Sequence, residues 1–287
     1  MMRMRNLVCI LIFAAVPSLA FAQGPTGIYY LTAGDNGNNW RVQGTNAVSS
    51  TQANSIGNGG EYAIAVSNDI RTLGNGNSGG DSGQRLGSLY GLNFNYLNVD
   101  YPYPTPGTRY FYDGTTDGSF IYAVDYGSGE VMRFNMDWTS PTLMFDTGFG
   151  GFNSLGITYD SSNNSLWVSQ WGGNEVRNYS MGGSLLSSFN ATNFANSLTA
   201  LAYDPLSDTL WMGSQIAQGN FSEYTKTGTL LQTQIYGALV PENTLGGEFQ
   251  IAPVPEPTTL ALTGIAMSGA WFAHRVHRRR KTTRRKK

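Results

Sequence analysis

Two stretches of the chain match each other nearly position for position. Gly156-Ile157-Thr158-Tyr159-Asp160, followed by Ser165-Leu166-Trp167-Val168, returns as Ala200-Leu201-Ala202-Tyr203-Asp204, followed by Thr209-Leu210-Trp211-Met212, at an offset of 44. Gly183, Leu185 and Leu186 match Gly228, Leu230 and Leu231 at 45, as one inserted residue would give. Upstream, Tyr122, Gly127, Glu130, Val131 and Phe134 match Trp167, Gly172, Glu175, Val176 and Tyr179, again at 45. Asp113 is matched by Asp69, 44 residues earlier, after the run Tyr62 to Val66, so the repeat spans at least four units. A fixed period of this length constrains the fold more than any other feature, because one unit cannot bury its apolar face alone and must stack on its neighbours.

Within the period, short alternating apolar runs are separated by Gly/Asn/Asp/Ser clusters, the pattern of strands and tight turns. The best unit reads as four antiparallel strands, Leu155 to Tyr159, Leu166 to Ser169, Glu175 to Tyr179 and Leu185 to Phe189. Four strands per 45 residues predict an all-β chain folded as a β-propeller, one blade per period. The ends set the count. Ile28 to Leu31 and Asn38 to Val42 read as second and third blade strands with no first strand before them. Gly246 to Ala252 resembles Gly59 to Ala65, an inner strand with nothing after it. The C-terminal strand is therefore expected to complete the N-terminal blade, which removes open sheet edges. Ile28 to Ala252 is 225 residues, five periods of 45. Five blades are predicted, with six as the alternative because the unit after Asp69 is poorly resolved.

The repeats resemble those of the NHL and gluconolactonase-like propellers, which commonly have six blades. Ile121-Tyr122-Ala123-Val124-Asp125-Tyr126-Gly127-Ser128-Gly129-Glu130-Val131 carries the likeness best, whereas Gln170 and Gln215 stand where that pattern has Asp.

The two ends read as addresses. Arg3 and Arg5 precede an apolar run from Leu7 to Val16, and Ala20-Phe21-Ala22 offers a cleavage site before Gln23, so residues 1–22 read as a signal peptide for signal peptidase. At the other end Val254-Pro255-Glu256-Pro257 precedes sixteen uncharged residues, 258–273, expected as a single hydrophobic helix. A basic tail, 274–287, follows and includes Arg278, Arg279, Arg280 and Lys281. At ~1.5 Å per residue that helix is short of a ~30 Å hydrocarbon core, which suits a transient span with the tail cytoplasmic. The three-part ending resembles the PEP-CTERM sorting signal, also called an ice-binding-protein C-terminal domain. That resemblance implies processing by an exosortase and delivery to the cell surface or to extracellular polysaccharide. Residues 23–253 are the expected propeller domain, exported to the cell envelope or extracellular matrix.

Charge follows the same division. Between Gln23 and Pro253 there are seven basic against 18 acidic residues, a net −11 hidden by the whole-chain value of −1. An acidic exported domain excludes nucleic acid as a partner. Both histidines, His274 and His277, lie in the tail and Cys9 lies in the first ten residues. The propeller therefore has no residue for a Ser-His-Asp triad, a Cys nucleophile, His-ligated zinc or a disulfide.

Three kinds of site remain. The turns at Asp125-Tyr126, Gln170-Trp171 and Gln215-Ile216 are expected on one rim of the ring, where an aromatic ring stacks on a sugar and amides bind its hydroxyls. Asp35 with Asn36, Asn38 and Asn39, and the stretch Asn75 to Asp81, are oxygen-rich as calcium loops are, but neither has the D-x-[DN]-x-[DN]-G spacing. The gluconolactonase-like resemblance implies an alternative, a metal-dependent hydrolase with a Glu/Asn/Asp cluster in the channel. Asp125, Glu130 and Glu175 are the available carboxylates, but the two Glu recur at one strand start, where they support a turn. The repeat aromatics Tyr122, Trp167 and Trp211 are expected between blades. Asp113, Asp160 and Asp204 are expected to cap turns at strand ends. The leading expectation is a non-enzymatic binding or structural module that takes no catalytic metal.

Overall fold

The computed structural model describes residues 24–33, 37–54, 60–75, 86–104 and 109–251. Both address segments, Asp35 and Asn36, and most of the Asn75 to Asp81 stretch lie outside these residues.

Among the described residues, twenty strands form five four-stranded antiparallel sheets. The first blade holds β1 (Tyr29–Ala33), β2 (Asn38–Gln43) and β3 (Asn46–Thr51). The second runs β4 (Gly60–Val66), β5 (Ile70–Asn75), β6 (Leu86–Tyr90) and β7 (Tyr96–Pro102). The third is β8 (Phe111–Thr116), β9 (Ile121–Asp125), β10 (Glu130–Phe134) and β11 (Thr142–Asp146). The fourth is β12 (Ser154–Asp160), β13 (Ser165–Gln170), β14 (Glu175–Ser180) and β15 (Leu185–Asn190). The fifth is β16 (Leu198–Asp204), β17 (Thr209–Ser214), β18 (Asn220–Thr225) and β19 (Leu230–Ile235). The last strand, β20 (Thr244–Phe249), joins the first blade beside β1, with Tyr29 opposite Phe249 and Leu31 opposite Gly247. The chain is thus an all-β, five-bladed β-propeller closed by its C-terminal strand. No described helix is long and apolar enough to cross a membrane.

The inner strands β4, β8, β12, β16 and β20 lie against one another in a closed ring around the axis. The core is distributed between blades. One cluster packs Tyr122 and Val131 of the third blade on Ile157 and Leu166 of the fourth. The next packs Trp167 on Leu201 and Tyr203, and a third packs Trp211 and Phe221 on Tyr29 and Trp40. The first and second blades meet through Tyr30, Ile64 and Tyr90, and the second and third through Leu73, Phe111 and Trp138. Tyr122, Trp167 and Trp211 are accordingly buried. Aromatic side chains suit this position because sheets stacked face to face leave a gap only large side chains fill.

All five inner strands carry a register shift, at Glu61/Ala63, Phe111/Gly114, Ser154/Ile157, Thr199/Ala202 and, on the β1 side of the β20 ladder, Thr32/Ala33. A bulge bends a strand and frees backbone groups from its ladder. Here the freed N–H groups turn toward the axis, and Asp113 meets them. Its Oδ2 accepts from Ile157 (3.2 Å) and Leu201 (3.1 Å), and its Oδ1 from Gly114 and Gly247, both 2.9 Å. Asp113 is therefore not a strand-end turn cap but the centre of the ring, and its match to Asp69 is corrected. Asp69 lies in the β4–β5 turn and ion-pairs with Arg71 at 2.8 Å. The true counterparts of the strand-end aspartates Asp160 and Asp204 include Asp117. Asp117 accepts the N–H groups of Ser119 and Phe120, as Asp160 does that of Ser162 and Asp204 that of Leu206.

Candidate functional site

The face at the starts of the inner strands carries a shallow aromatic cavity of about 210 Å³. It is lined by Tyr62, Tyr112 and Leu155 from inner strands, Leu245 from β20, and Tyr126, Trp171 and Gln215 from the turns after β9, β13 and β17. Side chains from seven strand ends meet because each second strand ends on the same side of the ring as each inner strand begins.

The rings hold one another edge to face. Tyr126 stands perpendicular to Trp171 with centroids 5.5 Å apart, and to Tyr112 at 5.4 Å. Tyr112 contacts Tyr62 at 5.5 Å in the same geometry. Such contacts fix each ring's orientation. Trp171 Nε1 donates to Gln215 Oε1 at 3.0 Å across two blades, which leaves the Gln215 amide nitrogen as a donor beside the rings. Burial alone pushes the Tyr126 hydroxyl above its ordinary range, so the cavity wall is uncharged at neutral pH.

Of the residues expected on this rim, Tyr126, Trp171 and Gln215 line the cavity. Asp125 does not. It is buried and turned into its own hairpin, where it accepts from Tyr110 N (2.8 Å) and Ser128 Oγ (2.7 Å) and faces Arg109 at 3.6 Å. Gln170 is half-buried and folds over the turn at Gly173. Ile216 is exposed beside the site. Tyr62, Tyr112, Leu155 and Leu245 were not singled out in the sequence. Their common signal was their place as the second or third residue of an inner strand, within the register shift itself.

Below this mouth the axis is filled. Ala63, Gly156, Ala200 and Gly246 occupy the level of Asp113 in the other blades, and their small size leaves room for its one carboxylate. Farther along, Glu248 accepts from the Thr158 hydroxyl at 3.2 Å and from Phe249 N at 3.0 Å. Thr158 in turn accepts from Tyr203 N at 2.9 Å, and Thr115 from Tyr159 N at 2.9 Å. Burial pushes both Asp113 and Glu248 well above the usual carboxylate range, and the nearby Glu248 raises Asp113 further. These carboxylates are met by N–H and O–H donors, which occupy the lone pairs a cation would need. The residues on the axis do not fit the Glu/Asn/Asp metal set of the hydrolase reading. Among the described residues no three His, Cys, Asp or Glu side chains group as metal ligands do.

The other polar candidates are engaged in turns. Glu130 pairs with Arg109 at 2.6 Å, and Glu175 with Arg177 at 2.9 Å, consistent with turn support. Of the oxygen-rich loop, Asn38 donates to Glu242 at 2.7 Å and Asn39 is buried against Gln52 at 3.1 Å.

No family model matches the chain, and no curated protein matches it in sequence. Solved structures do match in fold. A chain of a nidogen/laminin complex aligns at TM-score 0.52 with 12% identity, covering 78% of this chain and 99% of that one. Virginiamycin B lyase from Staphylococcus aureus aligns at 0.44 with 16% identity, over 73% and 70% of the two chains. A streptogramin B lyase aligns at 0.43 with 17% identity, over 76% and 71%. At 12% identity the match to the nidogen/laminin chain is a likeness of fold alone.

Proposed function

We propose that this protein is an exported, non-enzymatic β-propeller that is processed by signal peptidase and exosortase and binds polysaccharide at the cell surface or in the extracellular matrix. The observation that carries the binding reading is the convergence of Tyr126, Trp171 and Gln215 on one open cavity, with ring faces and an amide donor side by side. Sugar rings present apolar C–H faces and hydroxyl edges, and this wall offers a partner to each. A cavity of about 210 Å³ falls below the ~300–1,000 Å³ of small-molecule pockets, so it suits one ring of a chain lying across the rim. The export reading rests on the signal-peptide pattern before Gln23, on Val254-Pro255-Glu256-Pro257 and on the basic tail.

Retention on extracellular polysaccharide from the producing cells tests the binding reading. The wild-type chain is expected to be retained and Trp171→Ala to be lost. Equal retention of the two would overturn it. Intact mass of the protein recovered from the cell surface tests processing. A form beginning at Gln23 and ending near Val254 is expected, and one still carrying Arg278 to Lys287 counts against cleavage.

A further inference from the structure

The opposite face of the ring holds a second, larger cavity of about 290 Å³, and a repeat within the protein indicates what it is built to hold. Its apolar wall is Gly27, Ile28, Pro205, Leu206, Phe249 and Ile251, and its one charged residue is Asp204 at the end of β16. Asp204 is 1% exposed, and its Oδ2 finds no hydrogen-bond partner. Burying a carboxylate oxygen unpaired is costly, and such atoms are rare in folded proteins.

The preceding blades show how this position is normally satisfied. In the third, Asp117 Oδ2 accepts from the Tyr122 hydroxyl at 2.7 Å. In the fourth, Asp160 Oδ2 accepts from Trp167 Nε1 at 3.2 Å and from Lys226 Nζ at 3.1 Å. Lys226 reaches back from the β18–β19 turn of the fifth blade, its ammonium 5.2 Å from the centre of the Tyr203 ring. In the fifth blade the tryptophan is present as Trp211, but its Nε1 is also unpartnered. The turn that corresponds to Lys226, between β2 and β3, is Gly44-Thr45, which supplies no cation. Phe249 stands where Tyr203 stands one blade earlier. Gly247 N and Leu201 N make the same bond to Asp113, and these two aromatics each follow two residues later. The cavity thus keeps the carboxylate and the ring of an internal lysine site and lacks the lysine.

We propose that this cavity binds a small aliphatic primary amine, with its ammonium between the Phe249 ring and Asp204 Oδ2 and its stem along Ile28, Leu206 and Ile251. An ammonium has donors for the orphaned oxygen and is attracted to an aromatic face. One face of Phe249 already stacks on Tyr29 at 4.8 Å, which holds the ring in place. Gly27 keeps the site open. A Cβ there would lie 3.2 Å from the Phe249 ring and 3.6 Å from Asp204 Oδ1, against the position assigned to the ligand. Burial raises the Asp204 carboxyl above its ordinary range, the direction expected of an acid without a counter-charge, while Lys226 helps to hold Asp208 below it.

The site is tested by calorimetric titration of the full chain with n-butylamine at neutral pH, where the amine is protonated, with n-butanol as the uncharged control. One saturable site is expected for the amine, with n-butanol at least tenfold weaker. Asp204→Asn should weaken the amine at least tenfold, and Gly27→Val should abolish binding, each with a far-UV spectrum like that of wild type. Lys226→Gly, which removes the side chain, should open the fourth-blade site and raise the stoichiometry from one to two. The proposal is overturned if n-butanol binds as well as the amine, if both Asp204→Asn and Gly27→Val leave binding unchanged, or if Lys226→Gly stays at one site. Should Asp204→Asn fail to fold, the Gly27 and Lys226 variants decide the matter alone.

Discussion

Asp113 accepts the backbone N–H of Gly247 at 2.9 Å across 134 residues of sequence, and so ties the middle of the third blade to the strand that closes the ring. The same carboxylate holds Ile157 of the fourth blade and Leu201 of the fifth. One side chain is thereby bonded to four of the five inner strands. Replacing it with Asn, which keeps the shape but offers one acceptor oxygen, leaves two N–H groups facing an amide. At ~1–3 kcal/mol for each of the two unsatisfied buried groups, Asp113→Asn is expected to lower stability by about 2–6 kcal/mol, read from urea unfolding.

Ring closure depends on packing at the seam. Phe249 lies nearly parallel to Tyr29, which also meets Phe221 edge-on at 5.6 Å. Phe249→Ala removes a buried ring at the one blade formed from both ends of the chain. A loss of about 3–5 kcal/mol is expected, with faster proteolysis near both termini as the local readout.

The axial carboxylates set a pH dependence. Asp113 and Glu248 are both raised, so between ~4 and their folded values the native state binds more protons than the unfolded chain. Stability should therefore fall as pH rises through that window and level off above it. Asp208 and Glu175 are lowered by Lys226 and Arg177, and their contribution is lost in the other direction, as pH falls below ~4. A maximum at mildly acid pH is expected in urea midpoints measured across pH. Glu248→Gln, which keeps the hydrogen-bonding shape without the charge, should flatten the fall on the alkaline side.

The third-to-fourth-strand turns repeat a glycine. Gly183 and Gly228 have φ of +84° and +86°, and a Cβ would come within 2.5 Å of Phe145 and 2.6 Å of Phe189, respectively. Gly183→Ala meets both the left-handed backbone and a packed ring of the neighbouring blade. A cost of at least ~1 kcal/mol is expected in thermal or urea unfolding.

At the rim, Trp171 is only partly buried and its contacts are to other cavity residues. Trp171→Ala should change the urea midpoint little, by about 1 kcal/mol or less for a partly exposed side chain. That separates loss of polysaccharide retention from loss of fold.

What the sequence determined by itself was the local order. The 44- and 45-residue matches fixed the strands of the fourth and fifth blades, the burial of Tyr122, Trp167 and Trp211, and the turn glycines. Hairpin pairing and inter-blade packing repeat with the chain and leave a periodic trace. Closure by β20 was legible because two incomplete units stood at opposite ends. What only the tertiary structure decided lies where the periodicity breaks. Asp113 is a single acid among Ala63, Gly156, Ala200 and Gly246, and matching residue types led to Asp69, a turn residue. The rim gains Tyr62 and Tyr112 because the curvature of the ring brings different blades together, and spacing along one strand carries no record of that curvature. Asp204 repeats Asp160 faithfully in sequence. Its oxygen is met neither by Trp211 nor by a lysine from the β2–β3 turn, a neighbour that only ring closure supplies.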